Sequence, residues 1–549
     1  MKKLKKSKRF EGRKGPLVFV VMDGVGLNPS PIGNALEAAK TPNLDWLMKN
    51  CPNIKLLAHG KAVGLPSDKD MGNSEVGHNA IGAGRIFSQG AALVNDAIKT
   101  GKIWKGQIWQ RLIKNCVSKG STLHLIGLFS DGNVHSHIDH LKAMILRAKE
   151  EGIKRIRIHI LLDGRDVGEN SALDYVVPFE KFLDTLRNSG MDIMIASGGG
   201  RMVVTMDRYE ADWKIVERGW KTHVLGKGDM FPSAEEAIRN FRKQDPKITD
   251  QFLPPFVIEK DGRPAGPIRD GDSVIFFNFR GDRAIEISRA FEEENFNEFD
   301  RGKKLNIEYA GMMEYDGDLK IPKQYLVSPP KIRDTMGELL ANSGVTQLAC
   351  SETQKYGHVT YFWNGNWSGK FNERLETYIE IPSDLVPFQQ RPWMKSAEIT
   401  DRIVSEIESS KHRFIRLNYA NGDMVGHTGD FYAAVIGIEA VDLALYRLIN
   451  SVKSAQGVLI VTSDHGNSDE MFETDKNGNP VLGKDGRPKP KTSHTLNPVP
   501  FIIYDPLFNG EYKLRNLENR GLSNIASTCI MLLGFEPPDF YDPSLIEFV

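Results

Sequence analysis

Short runs of β-branched and aromatic residues recur along the chain, most of them giving way to a polar loop. They are LVFVVM (17–22), TLHLIGLF (122–129), RIRIHILL (155–162), DIMIAS (192–197), SVIFFNF (273–279), FIRLNY (414–419), VLIVTS (458–463) and PFIIY (500–504). The runs are nearly continuous rather than alternating, as expected of strands buried on both faces of a parallel sheet covered by helices. Between them the period changes. After Ile138, the positions Leu141, Met144, Ile145 and Ala148 fall on one helical face, and Gly152 supplies a stop. The alternation of the two patterns predicts an α/β fold.

Two segments read as connections: the glycine-rich AIGAGRIFSQG (80–90) and VSPPK (327–331), whose Pro-Pro continues neither a helix nor a central strand. With both as hinges, 88–331 is an inserted domain, and 1–87 plus 332–549 form one discontinuous domain. This replaces the three or four consecutive domains that a length of 549 residues suggests at about 150 residues each.

Composition narrows the function classes. Lys plus Arg and Asp plus Glu both total 71, and a zero balance argues against a protein whose main task is coating nucleic acid or an anionic membrane. No apolar run approaches the roughly 18 residues of a membrane span. The four cysteines, Cys51, Cys116, Cys350 and Cys529, are far apart, which points to a reducing, cytoplasmic setting without a disulfide framework. The start, MKKLKKSKRFEGRKG, resembles the basic region of a signal peptide but lacks the apolar segment that should come after it. Residues 1–15 are expected to be a solvated, mobile basic tail.

Several apolar runs lead into Asp and His. LVFVVM ends at Asp23; FIRLNYANG leads to Asp423 and His427; VLIVTS ends at Asp464 and His465; and His494 lies just before PFIIY. Alone, Asp-Gly after a strand is a turn, and a lone histidine is a packed or surface residue. Four separated sites with the same placement point to convergence beyond the carboxyl ends of a sheet. Mixed carboxylate and imidazole donors suit divalent first-row metals. In DMGNSEVGHNAIGAG (70–84), Ser74 sits where a loop gives way to a helix-compatible stretch. On that segment alone it reads as an N-cap; beside a metal cluster it reads as a nucleophile whose hydroxyl a metal can activate.

A third feature lies within 88–331: SDGNVHSH (130–137), DGRD (163–166), GGGR (198–201), MDR (206–208) and FRGDR (279–283). Arg165, Arg201, Arg208, Arg280 and Arg283 would gather guanidinium forks at one rim, suited to a small polyanion. His135 is the expected substrate contact, with His137 and His140 on the next helix. SGGGR lacks the full dinucleotide fingerprint, so a nucleotide role is weak.

Taken in order, MDGVG, GNSEVGH, SDGNVHSH, DGRD, GGGR…MDR, FNFRGDR, SETQKYGHVTYFWNG, NGDMVGH, TSDHGN and SHT…PVP resemble the cofactor-independent phosphoglycerate mutases of the alkaline phosphatase superfamily. The resemblance implies a discontinuous alkaline-phosphatase-like, metal-binding domain with an inserted α/β transferase domain. It further implies one metal held by Asp423, His427 and His494, and a second by Asp23, Ser74, Asp464 and His465. Ser74 would carry the phosphoryl group. His135, Arg165, Asp166, Arg201, Arg208, Arg280, Arg283 and Lys355 would hold phosphoglycerate, with Asp166 exchanging protons with the glycerate hydroxyls. Two divalent ions are implied, manganese first, with cobalt, zinc or magnesium able to fit, and no 2,3-bisphosphoglycerate. Closure of the two domains would keep water from the phosphoserine, and the protein would act as a monomer without nucleic-acid or membrane partners. The spacing from Arg201 to Arg208 and the loop NGNPVLGKDGRPKPK (477–491) are similar to the longer plant and trypanosomatid branch. A phosphomonoesterase or sugar-phosphate mutase of the same superfamily would share the metal ligands but not the full arginine set. A polyanion-binding protein without catalysis would have lost Ser74 or a metal ligand, and none is missing.

Overall fold

In the computed structural model, the described residues are all but Met1, Pro66, 208–211, Asp282, 316–319, Pro329, Lys331, 476–477 and 484–485. Arg208 therefore lies outside the described residues. The chain forms two units, Met1–Gln89 with Pro330–Val549, and Gly90–Pro329.

The first unit is built on a seven-stranded sheet. Its order is Glu376–Ile381, Gln347–Glu352, Phe414–Tyr419, Leu17–Met22, Val458–Thr462, Val499–Tyr504, Asn53–Leu56. The continuous apolar runs are explained by their two faces: Leu17, Phe19 and Val21 enter one core and Val18, Val20 and Met22 the other. Full burial of each such side chain contributes about 1.5–3 kcal/mol. The first five strands are parallel, with Met22 opposite Tyr419 and Val21 opposite Thr462, so their carboxyl ends are level. Val499–Tyr504 runs antiparallel to Val458–Thr462, with Thr462 opposite Phe501. The loop entering Val499–Tyr504 therefore meets the loop leaving Val458–Thr462, and Gly466 bridges Thr495.

The second unit carries an eight-stranded sheet in the order Glu308–Gly311, Ser273–Phe276, Leu123–Leu128, Arg155–Leu162, Asp192–Gly200, Phe256–Lys260, Asp229–Phe231, with Arg263–Pro264 paired to Phe256–Lys260. The first five strands of this order are parallel. The glycines of SGGGR continue a strand rather than forming a phosphate loop. A Cβ at Gly198 would come within 2.4 Å of the Phe256 ring, and one at Gly200 within 2.3 Å of the Gln251 carbonyl. The helix expected after SDGNVHSH spans Ile138–Glu150, with His137 as its N-cap and His140 in its first turn.

The basic N-terminus departs from expectation. Residues Lys5–Lys6 pair antiparallel with Glu536 and Phe535, Phe10 is buried and stacks on Phe548, and Arg13 pairs with Asp505 and Glu511. Aromatic burial and ion pairs on the C-terminal segment hold it. These partners lie some five hundred positions away, so local composition carries no sign of them.

Candidate metal centre and active site

In the first unit the level strand ends gather the candidate residues. Asp23 lies directly after Leu17–Met22, Asp464 and His465 just after Val458–Thr462, and Asp423 in the short helix Asn421–Gly426 after Phe414–Tyr419, with His427 at its end. Lys355 lies in Thr353–Gly357, directly after Gln347–Glu352. His494 precedes its strand because that strand is antiparallel. Ser74 opens the helix Ser74–Ala83, whose N-cap is Asn73, its side chain accepting from the Val76 amide at 3.1 Å. Ser74 is thus not the cap, and its hydroxyl is left for other work.

That hydroxyl sits at a convergence. Its Oγ lies 2.9 Å from His465 Nε2 and 3.2 Å from Asp23 Oδ1, and it accepts from Lys355 Nζ at 2.5 Å. Lys355 also donates to Asp23 Oδ1 at 3.0 Å and to Asp423 Oδ2 at 2.7 Å. Ser74, Lys355 and the two carboxylates, Asp23 and Asp423, are all buried.

The imidazoles are oriented by their far nitrogens. His494 Nδ1 lies 2.8 Å from the Gly72 carbonyl and His427 Nδ1 2.7 Å from the Thr492 carbonyl. A carbonyl only accepts, so each Nδ1 carries the proton and each Nε2 presents a lone pair. Those Nε2 atoms stand 3.1 Å from each other, and His494 Nε2 stands 3.2 Å and His427 Nε2 3.1 Å from Asp423 Oδ1. Lone pairs and a carboxylate converging in a buried pocket repel one another, and a cation coordinated between them turns repulsion into binding. The donor set therefore fits a divalent metal. Carboxylate oxygens and ring nitrogens of Asp423, His465 and His494 lie within 4.8 Å of one another, as do those of Asp23, His78 and Asp464. His465 Nε2 joins the two groups, 3.5 Å from Asp23 Oδ1 and 3.9 Å from Asp423 Oδ1.

Electrostatics reflect this crowding. Burial, then the neighbouring Asp464, pushes the Asp23 carboxyl up to about 6 despite Lys355. Burial also works against ionised Asp423, but the neighbouring Lys355 ammonium holds that carboxyl well below its ordinary range. Lys355 is disfavoured by burial, yet Asp23 and Asp423 hold its ammonium above the usual lysine value. Burial, then His465, drives His494 down to about 3, the neutral form a metal ligand requires.

In the second unit, Ser130, the segment Asp163–Asp166, Arg201, and Asn278 with Arg280 and Arg283 lie beyond four neighbouring strand ends. Arg201 is buried and its Nη1 donates to Asp163 Oδ1 at 2.7 Å and to Asp166 Oδ2 at 2.5 Å. Arg283 is buried and donates to the Met206 carbonyl at 2.6 Å, whereas Arg165 is exposed and Arg280 half-buried. His135 is buried, its carbonyl accepting from the Phe279 amide at 2.7 Å.

Residues 15–537 match the Metalloenzyme superfamily. The chain is 56% identical over 549 residues to a probable 2,3-bisphosphoglycerate-independent phosphoglycerate mutase of Leptospira interrogans, covering 99% of this chain and 100% of that one. It is 54% identical over 534 residues to the 2,3-bisphosphoglycerate-independent phosphoglycerate mutase of Trypanosoma brucei brucei, covering 97% of each. The chain belongs to the 2,3-bisphosphoglycerate-independent phosphoglycerate mutases. A crystal structure of the Leishmania mexicana phosphoglycerate mutase at low cobalt concentration is 51% identical, with a TM-score of 0.85 and 100% of both chains covered.

Within this mutase fold, three further residues, His78, Asn418 and Asn467, support the clustered carboxylates and imidazoles. His78 Nδ1 donates to the Ser74 carbonyl at 2.8 Å and lies 3.3 Å from Asp464 Oδ2. Its Nε2 then accepts from Asn418 Nδ2 at 3.2 Å, and the same amide donates to Asp23 Oδ2 at 2.7 Å. Asn467 Nδ2 donates to Asp423 Oδ1 at 3.1 Å. These hydrogen bonds fix the orientation of the Asp23 and Asp423 carboxylates. His78 sits four residues after Ser74, the helical spacing that puts both on one face, which was the available signal. Asn418 lies inside an apolar strand and carries none.

Proposed function

We propose that this chain interconverts 3-phosphoglycerate and 2-phosphoglycerate through a phosphoserine on Ser74, using two divalent ions and no 2,3-bisphosphoglycerate. The observation that carries the reading is the buried Ser74 hydroxyl held between Lys355, His465 and Asp23. Asp423, His427 and His494 would hold one ion, and Asp23, Ser74, Asp464 and His465 the other, with manganese the first candidate. The ions, when bound, supply Lewis-acid charge that favours ionised serine and an expanded phosphoryl group. Ser74 Oγ forms a bond to phosphorus while the substrate's ester oxygen leaves, and glycerate takes up a proton at that oxygen. Lys355 orients Ser74 and meets the charge on the phosphoryl oxygens. Arg165, Arg201, Arg208, Arg280, Arg283 and His135 bind the glycerate and phosphate groups, and Asp166 moves the proton on its hydroxyls. The second hydroxyl then attacks phosphoserine and gives up its proton, so atoms balance without a co-substrate. Four unpaired cysteines support a reducing, cytoplasmic location. Among the described residues no helix is long and apolar enough to cross a membrane.

The test supplies purified protein with 3-phosphoglycerate and manganese, without 2,3-bisphosphoglycerate, and monitors 2-phosphoglycerate and inorganic phosphate. Formation of 2-phosphoglycerate is expected; inorganic phosphate as main product would make the chain a phosphomonoesterase. Dialysis against a chelator is expected to abolish turnover and lower the unfolding temperature, because it leaves carboxylates and imidazole lone pairs facing one another; manganese should restore both. Lys355→Met is expected to lower kcat by about 10²-fold, the scale of losing one preorganised electrostatic contact. A kcat within twofold of the parent would remove Lys355 from the reaction.

A further inference from the structure

One carboxylate in the second unit links three neighbouring strand ends. Asp163 is 3% exposed and lies directly after the strand Arg155–Leu162. Its Oδ2 accepts from Ser130 Oγ at 2.6 Å. Its Oδ1 accepts from Arg201 Nη1 at 2.7 Å and from the backbone amides of Arg165 at 3.2 Å and Asp166 at 3.0 Å. Arg201, 1% exposed, gives that same Nη1 to Asp166 Oδ2 at 2.5 Å. Two carboxylates thus share one guanidinium nitrogen. They are not equivalent: Asp163 is enclosed by four donors, whereas Asp166 is partly open to solvent.

We propose that Asp163 is a positioning residue for phosphoryl transfer, anchoring Arg201 and the Arg165–Asp166 backbone so that Asp166 can exchange Arg201 for the glycerate hydroxyl without the guanidinium moving. The inference rests on the reading that Asp166 handles glycerate. A guanidinium with two carboxylate partners can release one and keep its place and its charge balance. With Asp163 neutral, Asp166 is the only carboxylate left to Arg201 among the described residues. The ion pair tightens and Asp166 is withheld from glycerate, while the cradle, poorer by one negative charge, attracts the anionic substrate more strongly. Return transfer from phosphoserine then slows relative to attack by water.

The test is Asp163→Asn in the full chain with manganese, measuring kcat, KM for 3-phosphoglycerate, and the share of inorganic phosphate in the product. The expected result is kcat lower by about 10²-fold, the scale of losing proton transfer by a positioned group, with KM falling rather than rising and a larger phosphate share. The product share is a property of each turnover and does not move when a fraction of the protein is simply unfolded. A kcat loss with unchanged KM and phosphate share would reduce Asp163 to a structural role and overturn the proposal, as would parent-like kinetics. If Asp163→Asn does not fold, Asp163→Glu, which keeps the charge but displaces the carboxylate, takes the same measurement. An unchanged phosphate share there overturns the proposal, and a raised share upholds it. If the parent protein forms no 2-phosphoglycerate, it is the proposed function that has failed, a result distinct from either outcome for the variants.

Discussion

Replacing Ser74 by alanine is expected to abolish mutase turnover, by on the order of 10⁴-fold or more, while leaving the fold intact. The helix that Ser74 opens is capped by Asn73, not by Ser74, so its first turn survives the change. Alanine is also a better helix former at that position. What is lost is the single oxygen that Lys355, His465 and Asp23 surround. Lys355 keeps Asp23 and Asp423 as partners, so no buried ammonium is stranded. The expected signature is an unfolding temperature within a few degrees of the parent, with no conversion of 3-phosphoglycerate above background. A variant that retained a tenth of the parent rate would exclude Ser74 as the group that carries phosphorus.

The second large effect is acid destabilisation of the second unit. A buried relay crosses its sheet: Asp272 Oδ2 to His124 Nε2 at 3.2 Å, His124 Nδ1 to His159 Nε2 at 3.0 Å, His159 Nδ1 to Ser197 Oγ at 2.7 Å, and Ser197 Oγ to His223 Nδ1 at 2.7 Å. The proton positions are set by Asp272, which as a carboxylate accepts. His124 then carries its proton on Nε2, His159 on Nε2 and His223 on Nδ1, and all three rings are neutral. Burial, reinforced for His159 by its neighbours, holds the three below their ordinary value, His223 at about 3. The folded values lie below the unfolded one near 6.5, so the unfolded chain binds more protons as pH falls. Stability is therefore fully present above pH 6.5 and falls below it, by about 1.4 kcal/mol per pH unit for each ring that stays neutral in the folded chain. Hydrogen exchange of the amides in Leu123–Leu128 and Arg155–Leu162 at pH 7.5, 6.5 and 5.5, corrected for intrinsic rates, checks this. His159→Gln, which cannot titrate, should flatten the slope by about 1.4 kcal/mol per pH unit. Protection independent of pH across that range would contradict the assignment.

The strands were legible because burial on both faces demands runs without polar interruption. Leu17–Met22, Arg155–Leu162 and Phe414–Tyr419 begin and end where the apolar runs do. Their level carboxyl ends make an Asp or His just beyond them informative, since a parallel register carries such residues to one place. His494 sits on the other side of its strand in sequence, and only the antiparallel pairing of Val499–Tyr504 brings it to the same end. The supporting groups were less legible. Asn418 occupies a strand position where an apolar residue would raise no question, and its use depends on Asp23 and His78 arriving from distant segments. Asp163 looks like the first half of a turn, and its four donors come from three strand ends. The glycines at 198–200 mimic a phosphate loop because close packing against Phe256 and Gln251 and close approach to a ligand impose the same demand on composition.

In the proposed cycle phosphorus passes through Ser74. Rapid acid quenching of the manganese-loaded protein during turnover of 3-phosphoglycerate, with peptide mass analysis of the quenched protein, measures it directly. One phosphoryl group is expected on the peptide containing Ser74, present during turnover and absent from Ser74→Ala. Steady turnover to 2-phosphoglycerate with Ser74 unmodified, and a phosphoryl group on another residue or on none, would contradict it.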